Sequence, residues 1–184
     1  KTVNGGGGGG NTVSIVSTGA VTDSAADTTA DILADNITIA TGAAAFGTAA
    51  NTIDFDFLDS TGLTVTNAGG FHILTDDDLT LQGGIDVSAG TSDKSISLVI
   101  SKADGVFDQG DLALTGAADS GTILIEADRV TLATTAGRTS ALNVVLRPFD
   151  AAETIGLSGG AGNFALSVNE LAALNATNVD SLVI

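Results

Sequence analysis

The sequence predicts an all-β chain wound as a parallel β-solenoid, with one short helical turn near its C-terminus. Three observations carry that expectation. Short runs in which apolar and polar residues alternate follow one another along nearly the whole chain, and period-two alternation marks strands with one buried face. Asn-Gly and Asp-Gly, the strongest two-residue hairpin signals, are nearly missing between those runs: Asn4-Gly5 lies in the tail and Asp104-Gly105 in a longer loop. Aromatic residues make up only 4%, all of them Phe, where a sandwich usually has a few large aromatics in its core. A solenoid stacks similar coils of roughly 20–30 residues around small and β-branched side chains.

The chain opens with a glycine-rich segment, residues 1–10, in which Gly5 to Gly10 are consecutive. Ordering six glycines is entropically costly, so neighbours must hold such a run in place. Residues 11–184 read as a single solenoid domain. Val13 and Ile15 form its first strand, and Ile32 to Ile39 supply the next pair. The stretch from Asp31 to Leu74 holds four alternations in all: Ile37 and Ile39; Ile53, Phe55 and Phe57, with Asp54 and Asp56 opposite; Leu63 and Val65; Phe71 and Ile73. Leu79/Leu81, Ile85/Val87, Ile96/Leu98/Ile100, Leu112/Leu114, Ile123/Ile125 and Val130/Leu132 continue the series. Leu142, Val144 and Leu146 precede Pro148, Phe164 and Leu166 follow, and Leu182 with Ile184 closes it. Ser167-Val-Asn-Glu170 has capping-box spacing ahead of Leu171 to Leu174, which predicts a turn or two of helix. With strands about 4.8 Å apart, roughly seven coils would make a rod on the order of 30–35 Å long.

Composition excludes several functions. The 22 acidic and 6 basic residues give a formal net charge of −16, which disfavours nucleic acid and anionic membranes, both of which need Lys and Arg. Between Thr2 and Asp93 there is no Lys or Arg, and Glu occurs only at 126, 153 and 170. The preference for Asp suits a chain rich in turns. Without cysteine there is no disulfide framework, thiolate metal site or cysteine nucleophile. No window has the apolar length of a transmembrane helix. The core is expected to be built from Val, Ile, Leu and Ala in many small layers.

Certain phrases resemble a known family. Ala34-Asp-Asn-Ile-Thr-Ile-Ala40, Phe46-Gly-Thr-Ala-Ala-Asn-Thr-Ile53 and Leu63-Thr-Val-Thr-Asn-Ala-Gly-Gly70 are similar to large bacterial exoproteins of the filamentous-haemagglutinin type. The second phrase stands where those chains pass from a strand to the next coil. Thr154-Ile-Gly-Leu157, Phe164-Ala-Leu-Ser-Val-Asn-Glu-Leu171 and Val179-Asp-Ser-Leu-Val-Ile184 extend the likeness over most of residues 11–184. The resemblance implies a right-handed parallel β-helix, a bacterial secreted or cell-surface location, and a role in adhesion or extracellular scaffolding.

The candidate chemistry is sparse. Asp76, Asp77 and Asp78 form one acidic run, and Asp104, Asp108 and Asp111 share the loop Ala103–Asp111. Both are candidate calcium ligands because hard cations prefer several carboxylate oxygens, although the second spacing is not that of an EF-hand. Solvated turns are the plainer reading of both. His72, the only histidine, reads as an outward strand residue, since a general base needs a partner carboxylate and a nucleophile beside it. Asp54 and Asp56 have the spacing of a carboxylate pair, with no aromatic platform or basic residue to place a sugar. Gly159 to Gly162 approaches the calcium nonapeptide, but Phe164 holds its aspartate position. Thr64 and Thr66 do not recur in ranks as an ice-binding face requires. Asn51, Asn67, Asn143 and Asn178 fall where Asn side chains satisfy turn carbonyls.

These readings converge on a non-catalytic structural protein that needs no cofactor and associates head to tail into a filament or scaffold. The alternative is a passenger fragment of an adhesin that binds a cell-surface ligand through an acidic outer face.

Overall fold

The computed structural model describes residues 2–6, 10–23, 29–58, 62–91, 93–175 and 179–184, so the predicted glycine run lies partly outside the described residues and Asn178 wholly outside. The fold is a β-solenoid of about five turns, almost entirely parallel β, with one short helix. One long sheet of nine strands runs the length of the rod. In spatial order it contains β1 (Val3–Asn4), β3 (Ile32–Leu33), β6 (Ile53–Asp56), β8 (Gly70–Thr75), β11 (Ile96–Ile100), β14 (Thr122–Glu126), β17 (Asn143–Arg147) and β20 (Ser181–Val183). The ninth, β5 (Ala45–Phe46), lies beside the start of β8.

A second sheet orders β2 (Thr12–Val16), β4 (Asn36–Ala40), β7 (Gly62–Asn67), β9 (Leu79–Leu81), β12 (Val106–Asp108) and β15 (Arg129–Thr131). A third contains β10 (Ile85–Asp86), β13 (Leu114–Thr115) and β16 (Thr139–Ser140). β18 (Ile155–Leu157) pairs with β19 (Phe164–Leu166), and α1 (Val168–Asn175) follows.

The register explains why alternation predicted the strands. Phe71, Ile96, Ile123 and Val144 are partners across β8, β11, β14 and β17, and all four are buried. Slipping any strand by one residue would turn its core set outward. The lumen departs from expectation in one respect. Four Phe form a chain inside it: Phe46 stacks on Phe71 at 5.4 Å between ring centroids, meets Phe55 edge-on at 5.9 Å, and Phe55 meets Phe57 edge-on at 5.9 Å. Phe107 and Phe164 are also fully buried. The aliphatic layers are therefore seeded by aromatic ones, whose rings bury the most area per residue.

The expected seven coils are too many. Between Arg147 and Ser181 the chain builds β18, β19 and α1 instead of a regular coil. β18 and β19 are parallel with Ile155 opposite Phe164, a tight coil turned at Ser158 and Gly159, whose φ values are 55° and 87°. The ladder also starts earlier than residue 11, because Val3 and Asn4 pair with Ile32 and Leu33. The expected loop at Ala103–Asp111 contains the strand β12, with Phe107 fully buried. The helix is as the capping box predicts: Ser167 Oγ accepts the Glu170 N–H at 3.3 Å and Glu170 Oε2 accepts the Ser167 N–H at 2.7 Å.

Candidate functional site

Where the long sheet turns into the second sheet, the corners of successive coils stack, and aspartates line that edge of the rod. Four of them hold backbone N–H groups of a neighbouring coil. Asp35 Oδ2 accepts the Asn11 N–H at 2.7 Å, and Asp77 Oδ2 accepts the Phe57 N–H at 2.8 Å. Asp78 Oδ1 accepts the Val106 N–H at 2.8 Å. Asp128 reaches both ways, its Oδ2 to the Asp104 N–H at 3.0 Å and its Oδ1 to the Asp150 N–H at 2.7 Å. At a corner the strand ladder is interrupted, so N–H groups need other acceptors, and a carboxylate is a strong one. Asp fits because its short side chain reaches backbone without leaving the turn.

The six calcium candidates are distributed by this arrangement rather than gathered. Asp77 and Asp78 face opposite neighbours, and Asp78 Oδ2 also meets Lys102 Nζ at 2.6 Å. Burial pushes the Asp77 carboxyl above its ordinary 3.8, and the charges of Asp76 and Asp56 add to that against the Phe57 N–H. Burial also pulls on Asp78, but the Lys102 ammonium and the Val106 N–H outweigh it and hold that carboxyl below 3.8. Asp104, at φ 57°, meets Arg129 Nη2 at 3.0 Å. Asp108 Oδ1 accepts the Gly110 N–H at 2.9 Å, and Asp111 lies 3.6 Å from Arg138 Nε. Among the described residues no group of three or more acidic or imidazole side chains is placed to hold a metal ion.

His72 corrects its expected role. Its alternation with Phe71 and Ile73 does place it on the outer face of β8, yet the residue is only 1% exposed. Nε2–H donates to Asp93 Oδ2 at 2.6 Å, while Nδ1 is buried without a hydrogen-bond partner. The cover comes partly from the phrase Phe46–Ile53. Phe46 ends β5, Gly47 turns at φ 72°, and Thr48 and Asn51 exchange backbone hydrogen bonds at 2.9 and 3.1 Å before β6 begins. A Cβ on Gly47 would lie 2.3 Å from the His72 carbonyl oxygen, so only glycine fits there. Ser97 is the register neighbour of His72 on β11, but the imidazole is closed off from solvent and only the Asp93 carboxylate is half-exposed, so the pair is a strut.

A broad concave surface surrounds Phe149, which is 41% exposed. Two clefts, of about 440 and 410 Å³, share Phe149 and Ser101. Asp104, Asp128, Asp150 and Glu153 line the first, and Asp54, Asp56 and Asp76 line the second. An aromatic side chain thus lines the same cleft as the Asp54 and Asp56 pair, which sequence spacing had not shown, because Phe149 comes from a corner four strands along the long sheet. Asp54 is nevertheless 4% exposed, and its Oδ1 accepts the Thr52 hydroxyl at 3.2 Å. Asp128 is spent on its two N–H groups. Of the asparagines, Asn51 donates to the Asp23 carbonyl at 3.0 Å, as expected, and Asn143 to Thr122 Oγ1 at 3.5 Å.

No helix among the described residues is long and apolar enough to cross a membrane. Comparison with protein-family models, with curated proteins and with solved structures gives no match for this chain.

Proposed function

We propose that this chain is a non-catalytic structural unit of the bacterial cell surface or extracellular space, a solenoid that stacks into a filament or scaffold. One observation carries the reading: the candidate calcium ligands are spread apart, and Asp77 and Asp78, with the corner residues Asp35 and Asp128, are used as struts between coils. Asp35, Asp77, Asp78 and Asp128 each hold an N–H of a neighbouring coil. A catalytic or ligating carboxylate must instead present its oxygens to a substrate or ion. The phrase Phe46–Ile53, a closed turn between β5 and β6, is consistent with the filamentous-haemagglutinin resemblance. Negative-stain electron microscopy of the purified chain, with and without a calcium chelator, tests the proposal. Uniform fibres that survive chelation support it. Fibres that dissolve on chelation would make the aspartate corner a cation site. Dispersed short rods at every concentration would sink the filament.

The Phe149 clefts favour a second reading, a passenger segment of an adhesin. Its acidic walls suit a basic surface ligand, and binding there weakens as salt rises. Loss of binding on Phe149→Ala in otherwise unaltered short rods would select this reading over the first.

A further inference from the structure

The two clefts that meet at Phe149 run across several coils and are lined only by residues between 30 and 153. Their walls carry negative charge that the chain itself does not answer. Among the described residues Lys94, Lys102, Arg129, Arg138 and Arg147 each pair with an acidic residue of an adjacent coil, and no basic side chain lines either cleft. The Asp56, Asp76 and Glu153 carboxylates make no hydrogen bond or ion pair with any described residue. Their field is felt next door: on top of burial, the charges of Asp76 and Asp56 push the Asp77 carboxyl upward. Between the acids the lining is apolar. Ala30 and Leu74 are half-buried there, and Phe149 is the only one of the seven Phe that is not buried.

We propose that the joined clefts hold an extended basic segment of a partner protein, one Arg or Lys side chain lying on the Phe149 ring beside Asp56 and Asp76 and the next entering the cleft of Glu153. This rests on the adhesin reading and names what the surface grips. A cation over an aromatic face is attracted by the ring's quadrupole. The alkyl stem of Arg or Lys suits apolar surface such as Ala30 and Leu74, and the free carboxylates supply charge-assisted hydrogen bonds. Because the clefts share Phe149 and Ser101, one occupant reaches both, and same-side side chains of an extended strand lie roughly 7 Å apart. Charge decides between occupants. A second copy of this chain brings a further −16, with its described cations already paired. Nucleic acid brings phosphates, which the acidic walls repel. A metal ion finds no group of three acidic or imidazole ligands among the described residues. A basic peptide brings the charge that the clefts lack.

Fluorescence anisotropy with a labelled arginine–serine repeat peptide tests the proposal on the intact chain. The parent should bind it, and more weakly as salt rises. Phe149→Leu keeps an apolar side chain but loses the ring face, and should weaken binding about two- to fivefold. Asp56→Asn combined with Asp76→Asn should weaken it about five- to tenfold. Asp86→Asn removes one charge at the exposed end of β10, which lines neither cleft, and should change affinity by less than about twofold. Circular dichroism should be the same for all of them. Equal losses from Asp86→Asn and from the cleft variants would overturn the site and leave an adhesin with a diffuse acidic face standing. Spermine bound as tightly as the peptide, or cellohexaose bound in its place and lost with Phe149→Leu, would overturn the peptide as occupant. A parent chain that binds no basic peptide would overturn both this proposal and the adhesin reading.

Discussion

His72 Nε2 and Asp93 Oδ2 are 2.6 Å apart on the outside of the long sheet, beneath the turn that follows β5, with the imidazole all but excluded from solvent. The bond joins β8 to the loop that leads into β11, and Asp93 Oδ1 continues it by accepting the Ser95 N–H at 3.0 Å. His72→Ala removes a hydrogen bond to a charged group and opens a cavity under Gly47. The expected cost is about 2–4 kcal/mol. Asp93→Asn keeps an acceptor opposite Nε2 and should cost less than about 1.5 kcal/mol. Urea unfolding of the two variants checks the order. Hydrogen exchange should show the neighbouring Ser95 N–H losing protection in His72→Ala. Equal stabilities would mean that the pair bears no weight.

The corner aspartates make a sharper test, because Asp128 holds two coils at once. Asn in its place has a single carbonyl oxygen and can accept from the Asp104 N–H or the Asp150 N–H, but not from both at their present geometry. Asp128→Asn should therefore cost about 1–3 kcal/mol, and Asp128→Ala more, since a second N–H loses its partner. Asp108→Asn, which touches only the Gly110 N–H within its own turn, should stay within about 0.5 kcal/mol of the parent. Thermal or urea melts of the three variants give the comparison.

The fold was legible because most strands bury one face more deeply than the other, even though β6, β8 and β11 are covered on both, so the period-two pattern survives in sequence. The strands that escaped are β1, β5, β12, β16 and β18, and each is only two or three residues long. Ala45, Thr139 and Ser140 carry no apolar alternation, and Val106-Phe107-Asp108 is hidden among turn residues. The corner ladder was half legible. The excess of Asp over Glu pointed to turns, but the partners lie 20–28 residues away, and no local spacing reports which N–H a carboxylate will meet. Gln109 escaped altogether. It is fully buried, its Nε2 donates to the Leu112 carbonyl at 2.8 Å, and its Oε1 accepts the Ala133 N–H at 3.2 Å and the Thr139 hydroxyl at 3.1 Å. A lone Gln in an acidic loop carries no signal of such a role. His72 was placed on the right face, but what covers that face is a loop of another coil.

Asp77 and Asp78, adjacent in sequence, should respond to acid in opposite senses. The folded Asp78 carboxyl lies below its ordinary 3.8, so its contribution is complete above that pH and is lost as pH falls from 3.8 through the lower folded value. The folded Asp77 carboxyl lies above 3.8, so its ionised form costs stability at neutral pH, and that cost is relieved as pH falls through the raised value toward 3.8. Asp78→Asn should destabilise at pH 7 by about 0.5–1 kcal/mol, a small figure because the Lys102 pair is substantially solvated, and the difference should vanish in strong acid. Asp77→Asn keeps an oxygen for the Phe57 N–H and should be neutral or slightly stabilising at pH 7. Unfolding free energies of both variants between pH 2 and 7 check the signs; matching slopes would refute the assignment.

Glu170 is where the cap at the end of the rod is most exposed to a single substitution. One of its oxygens serves the helix and the other the coil: Oε2 accepts the Ser167 N–H and Oε1 the Leu132 N–H beyond β15, each at 2.7 Å. Glu170→Gln retains one acceptor and so must abandon one of the two. Glu170→Ala abandons both and leaves the Leu132 N–H buried and unpaired, at a cost of about 2–4 kcal/mol in sum. Ser167→Ala removes only the hydroxyl that accepts the Glu170 N–H and should cost about 1 kcal/mol. If α1 is a cap on the second and third sheets, Glu170→Ala must do more than melt eight residues of helix. Protection of the β15 and β16 amides against hydrogen exchange should fall with it, while β8 and β11 near the middle of the rod keep theirs. Fraying confined to α1, with β15 and β16 unchanged, would show the helix to be an appendage.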